Sequence, residues 1–194
     1  MSFQSAKVWA VDLSPVAAGH AEFNSGLAGV SDHVEVVIGS WCAPLEAAGL
    51  RGRLGGLVSN PPYIPRVQMS GLQREVGAHE PTSALDGGEG PGMDSLAVIC
   101  DQAVHMLIPG GFLALEVSGY ELLRLKIVID LYRFCPQTAG EAQAEEVKGL
   151  LNSLRNTSDG SLAFKDTKLV QDCFGIQRFV SATKCDSSVN NKPL

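Results

Sequence analysis

Short apolar runs separated by polar, glycine- and proline-containing stretches dominate the chain. Val8-Trp9-Ala10-Val11 reads as a buried strand that ends at Asp12. Ser14 then offers an N-cap and Pro15 suits a first helical turn, and Ala17, Ala18, Ala21, Asn24 and Ala28 recur at helical spacing. Val34-Glu35-Val36-Val37-Ile38 and Leu54-Gly55-Gly56-Leu57-Val58-Ser59 predict two further strands. A long loop runs from Asn60 to Gly92, and Leu96, Ile99, Val104 and Leu107 then place one apolar stripe on a helix from Met93 to Leu107. Pro109-Gly110-Gly111 predicts a turn before a central strand, Phe112-Leu113-Ala114-Leu115-Glu116-Val117. From Tyr120 to Cys135 neither a helical nor a strand period is clean.

Strands alternating with helices predict one α/β domain, for which 194 residues at 45% hydrophobic content supply a full core. A strand, an acidic residue at its tip and then a helix is the second βα unit of a doubly wound nucleotide fold. There a carboxylate such as Asp12 accepts hydrogen bonds from two ribose hydroxyls. Fifteen Lys plus Arg against 21 Asp plus Glu give a net charge of −6, the wrong sign for neutralising a duplex backbone. Five cysteines, widely spaced and without a C-x-x-C pair, read as reduced thiols rather than as a disulfide frame or zinc site. His79, beside Glu80, reads as a solvated loop histidine. The N-terminus carries no apolar signal core or Arg-rich presequence, and no run is long enough to span a bilayer; a soluble intracellular protein is expected.

The densest chemistry lies at Asn60-Pro61-Pro62-Tyr63. Two prolines remove two N–H donors and fix φ, so this backbone cannot be consumed by a ladder or a helix. The Asn60 side-chain oxygen and the Pro61 carbonyl can each accept an N–H from one planar NH2 group while the Tyr63 ring packs on its face.

Ser59-Asn60-Pro61-Pro62-Tyr63-Ile64-Pro65 resembles the [DNS]-P-P-[YFW] signature of amino methyltransferases. With Glu75-Val76, Glu80-Pro81, Ala84-Leu85 and Gly87-Gly88 downstream it resembles the HemK-type branch, which methylates N5 of a glutamine side chain in peptide chain release factors. The resemblance implies a Rossmann-like class I methyltransferase sheet with an antiparallel C-terminal hairpin, here over Ala163 to Lys184. It implies S-adenosylmethionine as cofactor and no metal. Asn60, Pro61 and Tyr63 become the catalytic residues, Asn60 to Tyr63 the substrate pocket, and Asp12, Trp41 and Asn60 the cofactor contacts. The release factor is the implied partner, with no membrane and with nucleic acid met only through the release factor or the ribosome. Mitochondrion or plastid is the implied compartment of a full-length eukaryotic product.

Three departures qualify the resemblance. Ser40 stands where the branch usually has an Asp before the tryptophan, which weakens the adenine pocket. Nothing before Lys7 supplies the first βα unit with its glycine-rich turn, and Gly88-Glu89-Gly90-Pro91-Gly92 follows a loop rather than a strand, which suits the substrate side. The chain therefore reads as a truncated catalytic domain over residues 1–184 with a disordered tail over 185–194. Residues 120–139 read as an insertion, because skipping them joins Glu116-Val117-Ser118-Gly119 to Gly140-Glu141-Ala142-Gln143 as the branch does. Two other readings stay open: a nucleic acid amino-group methyltransferase, and an inactive fragment that keeps the substrate pocket alone.

Overall fold

The computed structural model describes residues 6–72, 74–118 and 139–186, in two compact units that divide after Arg53. In the first unit, β1 (Val8–Asp12) and β2 (Val34–Ile38) pair in parallel, Val8 opposite Val34 and Asp12 opposite Ile38. Helix α1 (Pro15–Leu27) connects them and starts where expected: Ser14 Oγ accepts the Ala17 N–H at 3.3 Å and proline occupies the first turn. A five-residue helix, α2 (Ala43–Ala47), follows β2 and buries Leu45. One turn and a half is too short to show a period, so the hydrophobic pattern does not announce it. Gly39 has no room for a side chain, since a Cβ there would stand 2.3 Å from the Pro44 ring.

The second unit is a four-stranded sheet in the order β3-β4-β6-β5, with β3 (Leu54–Ser59) parallel to β4 (Leu107–Glu116). Strand β6 (Gln177–Lys184) runs antiparallel to β4 and to β5 (Phe164–Gln171), so the hairpin expected over Ala163 to Lys184 forms. Between β3 and β4 the chain passes through a short helix α3 (Arg74–Gly77) and then α4 (Asp94–Met106), whose Leu96, Ile99 and Val104 are buried as their spacing required. In β4, Leu113 and Leu115 are fully buried, as is Val117 just beyond it, while Phe112 is 54% exposed, the alternation of a strand with one face on a core.

One expectation is corrected in detail. Pro109-Gly110-Gly111 does not precede the strand as a turn but lies inside β4 as a bulge: Leu54 faces Leu107, and two residues later Gly56 already faces Phe112, five residues on. Gly110 takes φ +77°, and a Cβ on Gly111 would stand 2.9 Å from the Ile108 carbonyl. Past the bulge the Phe112 ring lies against Gly56, where a Cβ would stand 2.1 Å from it.

Helix α5 (Ala139–Ser153) turns Gln143, Ala144, Val147 and Leu151 into the core, all fully buried. The segment read as an insertion, 120–139, lies outside the described residues except for its last, which opens α5. Of the tail, 187–194 lies outside them. Lys184 is buried at the end of β6, where its ammonium donates to Asn156 Oδ1 and burial lowers its pKa.

Candidate active site

Because β3 and β4 run in parallel, their C-terminal ends lie side by side, Ser59 opposite Leu115. Asn60 leaves one end and Glu116 closes the other. Asn60 is exposed, and its side chain makes no hydrogen bond among the described residues; Pro61 is buried and its carbonyl accepts none from them. Tyr63, half-buried, donates its hydroxyl to Glu116 Oε1 at 3.1 Å. Burial first, and the Glu116 carboxylate second, push the phenol up to about 12. Tyr63 is therefore a neutral ring held at its tip.

The loop's main chain is fixed from two directions. Residues 64–66 lie alongside 85–88: Ile64 N donates to the Leu85 carbonyl at 2.9 Å, Gly87 N to Ile64 at 2.8 Å and Arg66 N to Gly88 at 2.9 Å. Asp86 accepts the Gly88 N–H at 2.8 Å and Arg66 Nε at 2.9 Å, which holds its carboxyl below the usual carboxylate range. Glu89 accepts Arg66 Nη1 at 2.9 Å. Two glycines permit the close approach. A Cβ on Gly87 would stand 2.7 Å from Tyr63 Cα, and on Gly92 2.4 Å from the Tyr63 carbonyl oxygen. Gly87 and Gly92 thus pack the 87–92 turn directly against the Tyr63 main chain.

From the other side comes Gln143. Its Nε2 donates to the carbonyls of Pro91 at 2.7 Å and Tyr63 at 2.9 Å, with a longer approach to Gly92 at 3.3 Å. Its Oε1 accepts the Ser118 N–H at 2.7 Å. An NH2 has two hydrogens, so the two shorter contacts are the bonds and the third is a shared one.

In the first unit, Asp12 is exposed at the tip of β1, and its Oδ1 accepts the Ser14 N–H at 2.8 Å. Its Oδ2 makes no hydrogen bond among the described residues. Trp41, half-buried, follows β2 at φ +51°, a conformation unusual for a bulky side chain, and Ser40 beside it is exposed. Of the residues singled out in the sequence, Asn60, Pro61, Pro62 and Tyr63 stand together at the end of β3, whereas Asp12 and Trp41 belong to the first unit. Glu116, Gln143 and the Arg66–Asp86 pair were not singled out. A glutamine at a core-facing position of an otherwise apolar helical stripe was the one available signal for Gln143.

Two parallel strands joined through a helix, with a reversed last strand entering beside them, make a mixed α/β sheet that resembles the class I methyltransferase fold. A crystal structure described as a predicted O-methyltransferase from Agrobacterium tumefaciens has that fold in common with this chain, at a TM-score of 0.52 and 17% identity, over 94% of this chain and 64% of that one. No protein-family model matches. In sequence, the chain is homologous to release factor glutamine methyltransferases. It is 44% identical to that of Gloeobacter violaceus over 114 residues, covering 59% of this chain and 38% of the relative. It is 34% identical to that of Synechocystis over 181 residues, 93% of this chain and 50% of the relative. With that of Bradyrhizobium diazoefficiens it is 33% identical over 173 residues, 89% and 46%. The chain spans half or less of the length of these relatives.

Proposed function

We propose that this chain carries the amide-receiving part of an S-adenosylmethionine-dependent methyltransferase that acts on the side-chain nitrogen of a glutamine in a peptide chain release factor. The observation that carries the reading is a pair of acceptors, the Asn60 side chain and the Pro61 carbonyl, that take no hydrogen bond among the described residues, on a loop held at its far end through the Tyr63 carbonyl and hydroxyl. Each accepts one N–H of the substrate amide, and the Tyr63 ring, held at its hydroxyl by Glu116, packs against the amide plane. Two acceptors on one NH2 draw its hydrogens aside and aim the nitrogen lone pair. An amide nitrogen is a poor nucleophile because that lone pair is delocalised, so alignment and polarisation do the work that a strong base would do elsewhere.

The donor set fits the nucleoside part of the cofactor. Asp12, with one carboxylate oxygen left open, takes the ribose hydroxyls, and Trp41 offers its ring to the adenine. When bound, S-adenosylmethionine supplies an electrophilic methyl group. The net charge of −6 favours a protein over a nucleic acid as the partner. Among the described residues no helix is long and apolar enough to cross a membrane, and we read the protein as working in a soluble compartment, with mitochondrion or plastid open.

Calorimetric titration of the purified chain with S-adenosylmethionine tests the cofactor part. A Kd tighter than roughly 100 μM, about −5.5 kcal/mol, supports it; a folded sample without heat of binding removes it. Labelled methyl transfer offered to release factor and nucleic acid side by side tests the rest. Incorporation into the release factor glutamine, abolished by Asn60→Ala with cofactor binding kept, is the expected result. Transfer to nucleic acid, or retained transfer by Asn60→Ala, refutes it.

A further inference from the structure

The Asn60–Tyr63 loop cannot hold itself in place. Pro61 and Pro62 have no N–H, so the middle of the segment offers only acceptors and cannot join a ladder or a helical turn. The Tyr63 hydroxyl, donated to Glu116, ties down a side-chain tip, and the main chain must be fixed by a donor from elsewhere. Among the described residues that donor is the Gln143 amide, fully buried and satisfied at both ends, which ties Tyr63 to the Pro91–Gly92 turn and to Ser118 just beyond β4. The three partners lie 80, 52 and 25 residues away in the chain, so the contact belongs to the tertiary fold and not to local helix chemistry.

Simple core filling does not account for a glutamine here. Its neighbours on the same face of α5, Ala144, Val147 and Leu151, are apolar and equally buried, and an apolar residue of the same length would fill the space. A buried amide has instead one arrangement in which all its groups are satisfied, and that arrangement sets the height and register of whatever it bonds. We propose that Gln143 is a positioning residue: it sets the main chain of the Asn60–Tyr63 loop, and through it the direction of the Asn60 and Pro61 acceptors. The inference rests on the reading of that loop as the amide-receiving element. Gln143 touches no substrate.

The test is amide hydrogen exchange, read segment by segment by mass spectrometry on the full chain, with Gln143→Met, which keeps length and loses both hydrogen-bonding groups. Protection of 63–66 and 85–94 is expected to fall tenfold or more, while that of the β5–β6 hairpin changes by less than twofold. A core-filling role would lower both segments together. Unchanged protection, or a fall shared equally with the hairpin, overturns the proposal. Should Gln143→Met fail to fold, Gln143→Glu decides the matter. Protonated, it still has a donor for the loop carbonyls; ionised, it repels them. Loop protection must then fall as pH rises from 6 to 9 in the variant and not in the wild type, and a pH-independent variant overturns the proposal. Titration with a glutamine-bearing peptide separates this inference from the functional one. Binding by the wild type weakened tenfold by Gln143→Met supports both. No binding by the wild type refutes the amide-receiving role, and exchange still decides the positioning role.

Discussion

Gly92 and Gly90 form a matched pair for testing how tightly the loop around Tyr63 is fixed. Both have positive φ, +78° and +58°. An alanine at either position therefore meets the same left-handed penalty, roughly 1–2 kcal/mol. At Gly90 nothing lies within 4 Å of the new methyl; at Gly92 it would stand 2.4 Å from the Tyr63 carbonyl oxygen and 3.0 Å from Pro65 N. Something must move, and both neighbours are backbone. Forced displacement of packed groups costs about 1–3 kcal/mol. The same carbonyl accepts from Gln143 at 2.9 Å, and losing that bond adds about 1 kcal/mol. Gly92→Ala should thus exceed Gly90→Ala by about 2–4 kcal/mol, a large share of the roughly 5–15 kcal/mol by which domains are stable. Urea denaturation reads this directly. With a slope of about 2 kcal/mol per molar, the two midpoints should differ by roughly 1–2 M with unchanged slope. Midpoints within about 0.3 M of each other would show a loop that yields to the methyl, and the tightly braced geometry would be wrong.

Further outcomes follow from particular contacts. The Tyr63 phenol, raised from 10.0 to about 12, contributes stability that is complete below pH 10 and is lost as pH rises between those values. Spectrophotometric titration should show one phenol late, absent in Tyr63→Phe and earlier in Glu116→Gln; titration of all three tyrosines near 10 would refute the contact. Asp86, held below its usual 3.8 by the Gly88 N–H and then by Arg66, contributes stability present above that value and lost as pH falls through its lower folded value. Asp86→Asn should flatten that acid limb, and an unchanged acid profile would remove the role. Leu113→Ala, at a fully buried position in β4, should cost about 2–5 kcal/mol by denaturant titration, and a loss under about 1 kcal/mol would contradict the packing. Deleting 120–139 should leave a cooperative transition with stability changed by no more than about 1 kcal/mol; a non-cooperative variant would refute its reading as an insertion.

Elements with a period of their own were legible in the sequence. All three strands before the long loop, α1 with its Ser14 cap and α4 with its apolar stripe fall where the pattern put them. The hairpin was legible through resemblance, and α2 was too short to show. The Asn60–Tyr63 loop was legible because proline chemistry is local. What fixes that loop was not: Gln143 lies 80 residues from Tyr63, and the glycines at 87 and 92 read as loop residues until Tyr63 is seen against them. Pro109-Gly110-Gly111 carries the same turn signal whether it ends a connection or bulges inside a strand, and only the partner strand β3 decides between them.

The bond from Ser118 N to Gln143 Oε1 also has a genetic side. It brings the chain back, after 25 residues, to within 2.7 Å of where it left. A segment whose two ends are already tied adds closure entropy only logarithmically with its length, about 0.6 kcal/mol for each doubling. The point between β4 and α5 is thus a permissive joint, where in-frame additions to the message, a retained stretch of non-coding sequence among them, reach the protein with little thermodynamic penalty for the strands and loop on either side.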